Sequence, residues 1–242
     1  ILQTIEHSKA HTGQFRIGNG AGLAGSLLEE LRAHPSVNQA QIAGSYRRKK
    51  EIVRDLDFIV STRHPAEVSD FFTTHPLVES ILAKGATKSS VILKSGIQCD
   101  LRVVTGAEYP FALAYFTGSK EHNVRIRSRA LTLGWSLNEY RFSEAEGREL
   151  KEPLPEVHEE NDIYSALGLD PVVPELREDR GEIEAAEAHA LPHLIEWQNL
   201  RGTFHNHTTA SDGRASLEDM AEAARELGLE YLGIADHSKS SF

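Results

Sequence analysis

The chain's 242 residues allow one large domain or two ordinary ones, and 40% apolar side chains suffice for a packed core, which excludes a disordered polymer. No run approaches the ~18 apolar residues that span a bilayer, and no secretory signal opens the sequence. The single Cys99 excludes an internal disulfide, so a reducing, cytoplasmic setting is expected, and the net charge of -10 argues against a uniformly basic nucleic-acid binder.

In chain order, Gly20-Ala-Gly-Leu-Ala-Gly25 matches the dinucleotide-binding fingerprint by letter. Positions 38–46 hold no acidic residue to grip a ribose, so the glycines read as a flexible entry to a helix at Leu23–Leu31. Helical spacing continues through Leu27–His34 and stops before Pro35. Gln39–Ala43 leads into Gly44-Ser45. Leu56–Val60 reads as a strand, Pro65–Thr74 as a short helix, and Ser90–Lys94 and Gln98–Val104 as strands joined by a turn at Ser95-Gly96. The pattern from Pro110 to Leu133 is helical. Residues 151–180 read as short helices between extended turns, and Glu182–His189 as a helix leading into a linker. Thr203–His207, Leu217–Leu227 and a buried strand at Tyr231–Ala235 make a β-α-β unit, so a second domain begins near residue 200.

The acidity is unevenly spread. Residues 151–200 hold thirteen Asp/Glu against three Lys/Arg, whereas residues 1–150 hold sixteen against nineteen. The first 150 residues are therefore mildly basic, as a phosphate-binding surface requires locally.

Asp55-Leu-Asp57 puts two carboxylates at i and i+2, on one face of a strand. Asp100, in Gln98-Cys-Asp-Leu-Arg102, can add a third from a neighbouring strand. Such a set suits hard divalent cations, two of which can activate an attacking hydroxyl and stabilise a leaving phosphate. Gly44-Ser45 offers a tight turn with free N–H groups and a hydroxyl, and Arg47-Arg-Lys-Lys50 offers cations for a triphosphate. Taken singly, an Asp-x-Asp pair is more often a solvated strand end, and a basic run a solvated face.

Gly44-Ser-Tyr-Arg-Arg48 followed by Asp55-Leu-Asp57 resembles the nucleotidyltransferase motif of family X, polymerase beta-like DNA polymerases. Tyr115-Phe-Thr-Gly-Ser119 resembles that family's nucleotide-binding motif, and Asn123, Arg127 and Ala130–Tyr140 continue the match over about residues 25–180. The resemblance implies an α+β fold: a palm with a mixed sheet over residues 1–110, then a small α/β nucleotide-selecting subdomain over 111–180. An acidic linker is expected over 181–200. It also implies roles. Asp55 and Asp57 would bind Mg²⁺ or Mn²⁺. Asp100 would bind the ion that activates a primer 3′-hydroxyl. Gly44, Ser45 and Arg48 would hold the phosphates. Tyr115, Phe116, Gly118, Ser119 and Asn123 would hold the rest of a dNTP. Arg127 would reach the template and Arg102 would join the closing network. Gln98, where polymerase beta has arginine, and Lys120, where it has an acid, depart from the pattern. The implied partners are gapped or primed DNA and dNTPs, without membrane, bound by a monomer.

His205-Asn-His207, Asp212 and Asp236-His237 form a second set suited to Zn²⁺ or Mn²⁺. They resemble the opening of a PHP phosphoesterase α/β-barrel domain, here residues 201–242, with His205, His207, Asp212 and His237 as ligands. A lone His-x-His is otherwise a strand-edge pair. The resemblance thus presents a polymerase truncated at both ends, whose PHP part would be a 3′-exonuclease in the intact protein. A metal-dependent phosphoesterase and a non-catalytic, weak and salt-sensitive DNA-binding fragment are the alternatives.

Overall fold

The computed structural model describes residues 13–239, and the chain divides into two compact units at Leu191/Pro192. Residues 1–12 of the expected palm and 240–242 of the expected second domain lie outside the described residues.

The first unit opens with β1 (Phe15–Arg16) and the 17-residue helix α1 (Ile17–Ala33). The glycines expected to loosen the helix entry lie inside α1 instead. Each costs roughly 1 kcal/mol against alanine, so α1 depends on tertiary contact. Ala24, Leu27, Leu28 and Leu31 are buried at helical spacing, and a Cβ on Gly20 would sit 2.5 Å from the Phe15 ring.

β2 (Gln39–Ile42) runs into α2 (Gly44–Arg47), a single turn. Then come β3 (Ile52–Val53), which pairs with β1, and β4 (Asp55–Ser61). α3 (Pro65–Thr73) starts with proline at its first position, where the missing N–H costs nothing. β5 (Val78–Lys84), β6 (Lys88–Leu93) and β7 (Gln98–Val104) complete a five-stranded sheet in the order β2-β4-β7-β6-β5. β4 and β7 are parallel; the other neighbours are antiparallel. Edge strand β5 is absent from the sequence reading because its residues after Val78 are exposed, so no apolar alternation marks it.

The period-2 pleat decides what each face carries. Leu56, Phe58 and Val60 of β4 and Cys99, Leu101 and Val103 of β7 share a core with α1 and α3. Asp55, Asp57, Ile59, Asp100 and Arg102 fall on the other face. α4 (Tyr109–Thr117) packs Tyr109, Ala112 and Leu113 against Ile59 there.

α5 (Lys120–Thr132), β8 (Trp135–Leu137), β9 (Phe142–Glu144), α6 (Glu160–Ala166) and α7 (Glu182–Glu187) follow. They close a second core with Phe111, Ile126, Trp135, Phe142, Tyr164 and Ile183. The buried Trp135 donates from Nε1 to the Glu152 carbonyl at 2.8 Å. The expected helical run Pro110–Leu133 is thus two helices. It breaks at Gly118, whose φ of 71° and ψ of -155° suit glycine alone, and the Gly118–Ser119 peptide is cis. The expected linker over 181–200 is also corrected. α7 buries Glu182, Ile183 and Ala186, and the first unit continues to Leu191.

The second unit holds β10 (Gly202–Asn206), α8 (Leu217–Glu226) and β11 (Tyr231–Ile234), with the two strands parallel. Ser216 and Asp219 form a capping box at the start of α8. The β-α-β order agrees with the sequence reading, but the strand expected to be buried is not. Tyr231 is 46% and Ile234 38% exposed, because two strands and one helix cannot cover both faces of the pair. No helix among the described residues is long and apolar enough to cross a membrane.

Candidate active site

Parallel register sets Asp57 beside Asp100 and Asp55 beside Gln98. Burial pushes the Asp57 carboxyl up to about 7, and Asp55 and Asp100 add to the rise. Burial, then Asp100, also raises Asp55. For Asp100 burial works upward, but hydrogen bonds from Lys88, Gln98 and Ser90 outweigh it and hold the carboxyl below its ordinary value. Lys88 Nζ lies 2.8 Å from Oδ2, and Gln98 Nε2 donates to Oδ1 at 3.1 Å. Burial also pushes the Cys99 thiol up to about 12, so it is a core residue and not a nucleophile.

Gly44 is required by this crowding. Its φ is 63°, and a Cβ would lie 2.3 Å from Asp57 Oδ2. The preceding Ala43 N–H donates to the Asp57 carbonyl at 2.7 Å, tying α2 to β4. Three acids on one face, two of them raised first by burial and then by neighbouring carboxylates, fit a divalent-cation site, since such an ion stabilises the charged forms.

Beside Asp55 and Asp57 opens a cleft of about 480 Å³. Gly44, Ser45 and Arg48 line it together with Tyr115, Phe116, Gly118, Lys120, Asn123 and Arg127. The Tyr115 and Phe116 rings meet edge-on at 5.1 Å, and Arg102 stacks on Phe116 with Cζ 4.6 Å from the ring centre. Asn123 Nδ2 donates to the Tyr115 carbonyl at 2.7 Å. Ser119 is not part of this lining. It is buried, its Oγ accepts the His122 N–H at 3.2 Å as the cap of α5, and its own N–H donates to the Arg177 carbonyl at 2.9 Å.

The basic run divides by function. Arg47 turns inward and donates to both carboxylate oxygens of Glu160, at 2.9 and 2.7 Å, and to Thr117 Oγ1 at 2.8 Å. It is therefore withdrawn from the triphosphate role that the sequence suggested. Arg48 stays at the cleft, with Nε donating to Glu178 Oε1 at 2.8 Å and Nη1 to the Thr117 carbonyl. Glu178, Glu160 and Lys88 escape sequence reasoning. Nothing local marks an acid that meets Arg48 across 130 residues.

In the second unit, His207 Nδ1 lies 3.0 Å from Asp212 Oδ1, and His237 Nε2 lies 3.6 Å from Asp212 Oδ2. Among the described residues, these three form the set whose donor atoms all come within 4.8 Å of one another. His207 Nδ1 is buried, and its approach to Asp212 lacks hydrogen-bond geometry, which suits a nitrogen available to a metal. The expected regular strand Thr203–His207 ends at Asn206. Its pairing shifts between Thr203 and Asn206, and His205 has a φ of 61°. The His205 ring still lies 5.0 Å from that of His207, but outside the three-residue set.

A mixed α+β fold built on a five-stranded mixed sheet fits a polymerase beta-like fold. A family model described as DNA polymerase beta thumb matches residues 112–178. The chain is 37% identical over 241 residues to the DNA polymerase/3'-5' exonuclease PolX of Bacillus subtilis (strain 168), covering 99% of this chain and 41% of that protein. It is 29% identical over 153 residues to DNA polymerase lambda of Rattus norvegicus, covering 52% of this chain and 26% of that protein. The chain therefore spans less than half the length of these relatives. In these matches the chain is similar to polymerase beta-like DNA polymerases.

Proposed function

We propose that this chain carries the catalytic unit of a template-directed DNA polymerase that adds deoxynucleotides to a primer 3′-hydroxyl in gapped or primed DNA, in repair. The observation that carries this reading is the shared face of β4 and β7, where Asp55 and Asp57 line a cleft with Arg48, Lys120 and Arg127, and Asp100 pairs in register with Asp57. Asp55 and Asp57 would hold Mg²⁺ or Mn²⁺, with Asp100 completing the set. Such ions supply an activated hydroxyl and neutralise charge on the leaving pyrophosphate. Gly44 and Ser45 offer backbone N–H groups and a hydroxyl to the phosphates, and Arg48 a guanidinium. Tyr115 and Phe116 form a wall for the sugar. Asn123 orients the nucleotide's edge and Arg127 reaches the template. Asp100 would accept the hydroxyl proton once Lys88 releases it.

Primer extension on a gapped duplex with Mg²⁺ or Mn²⁺ tests this, with and without template. Asp57→Ala and Asp100→Ala should each lose about a thousandfold in rate. Equal extension by either variant overturns the reading, and equal activity without template reassigns the chain to template-independent transfer.

The convergence of His207, Asp212 and His237 supports a second activity, a Zn²⁺- or Mn²⁺-dependent PHP-type 3′-exonuclease in the intact protein. The Bacillus subtilis relative is named as both a polymerase and an exonuclease. Degradation of a 3′-labelled strand, abolished by Asp212→Ala but not by Asp57→Ala, is the expected result.

A further inference from the structure

The cation best placed to receive a nucleotide's phosphates is already engaged by an anion. Arg48 Nε donates to Glu178 Oε1 at 2.8 Å, and Lys50 Nζ lies 3.3 Å from Glu178 Oε2. One carboxylate thus bridges two cations of the basic run, and Arg48 faces the cleft that holds Asp55 and Asp57. The hydrogen bonds from Arg48 and Lys50 hold the Glu178 carboxyl below its ordinary value although burial opposes them, so it is an anion at neutral pH.

The backbone beneath Glu178 is firmly fixed. Arg177, the preceding residue, is 1% exposed. It donates to Glu160 Oε1 at 2.5 Å and to the Val172 carbonyl at 2.8 Å, and its carbonyl receives the Ser119 N–H at 2.9 Å. The Glu178 side chain itself is partly exposed and is held by the two cations. An anchored backbone with a side chain that can swing away describes a replaceable occupant. A triphosphate offers more charge and more acceptor oxygens than one carboxylate and can displace it.

We propose that Glu178 is an internal stand-in for the nucleotide's phosphates. It occupies Arg48 and Lys50 when no nucleotide is bound and must be displaced on binding, so it lowers nucleotide affinity. This rests on the polymerase reading of the same cleft. The opposite role, Glu178 holding Arg48 in its phosphate-binding pose, predicts the opposite sign.

Isothermal titration of the whole chain separates them, using inorganic tripolyphosphate in chelator and dTTP with Mg²⁺. Glu178→Gln should bind tripolyphosphate about threefold to tenfold more tightly than the unaltered chain, the size expected for removing one partly exposed competing ion pair. The gain should vanish when Arg48→Ala is added. Glu178→Ala should repeat the gain, and melting curves should show both variants folded. Unchanged or weaker binding by Glu178→Gln, or no binding by either protein, overturns the proposal. Failure of the polymerase reading looks different. In that case dTTP with Mg²⁺ binds no more tightly than metal-free tripolyphosphate and is indifferent to Asp57→Ala, whatever Glu178 does.

Discussion

Asp57 is held against its electrostatic preference by a partly buried position and two neighbouring carboxylates, with its pKa pushed up to about 7. A carboxyl raised in the folded state stabilises fully below its unfolded value of 3.8, and that stability is lost as pH rises through about 7. In chelator, the first unit should therefore weaken between those pH values. Asp57→Asn removes the strain while removing a metal-binding group. Its melting temperature in chelator should exceed that of the unaltered chain by about 4 °C at pH 8, with little difference at pH 4. Equal melting at both pH values would mean that burial and the neighbouring acids do not raise the Asp57 carboxyl. Gly44 belongs to the same scale. Its side chain is missing because Asp57 Oδ2 takes the space.

Among the elements, α2 and α6 are joined through Glu160, which Arg47 and Arg177 both reach. Burial raises the Glu160 carboxyl, but Arg47 and Arg177 more than reverse this and hold it below 4.5. A depressed carboxyl contributes stability above its unfolded value, lost as pH falls through the folded one. Glu160→Gln strands two guanidinium groups, one of them buried, and should cost about 3–5 kcal/mol at pH 7 in denaturant unfolding. The deficit should shrink as pH falls through the lowered folded value of the native glutamate, where that carboxyl also protonates. α7 offers a separate check. Ile183→Ala should cost the first unit about 2–4 kcal/mol, whereas a linker residue would cost almost nothing.

These elements also show where sequence reading stops. The face of β4 that carries Asp55 and Asp57 is legible because alternation with Leu56, Phe58 and Val60 is a local signal. The C-terminal half of α1 is legible from Leu27, Leu28 and Leu31, but its glycine-rich first half is not, because packing on Phe15 overrides propensity. β5 lacks a pattern, and α7 hides its buried face among acids. Glu178 and Lys88 become visible only when the chain folds and opposite charges from distant segments meet.

On the scale of the molecule, the chain holds two candidate metal centres of different chemistry, one in each unit. The aspartates of the first suit hard ions, and the imidazoles of the second suit borderline ones. Zinc added to chelator-treated chain should bind at one equivalent to the second unit. Asp212→Ala should weaken that binding about tenfold or more, and Asp57→Ala should leave it unchanged. Inductively coupled plasma analysis after desalting, with a competing chromophoric chelator, reads both numbers. Zinc retention that follows Asp57 instead would reverse the assignment.

The two tryptophans divide in the same way. Trp135 is 3% exposed within the second core of the first unit, and Trp197 is 62% exposed in the second unit. Selective excitation of indole thus gives the chain a built-in optical readout. Blue-shifted emission comes from Trp135 and moves to the red when the core of the first unit opens. Trp197 already emits from water, so its emission changes little when that core opens. Collisional quenchers should reach Trp197 first, which leaves the remaining emission as a reporter of the unit that carries Asp55, Asp57 and Asp100.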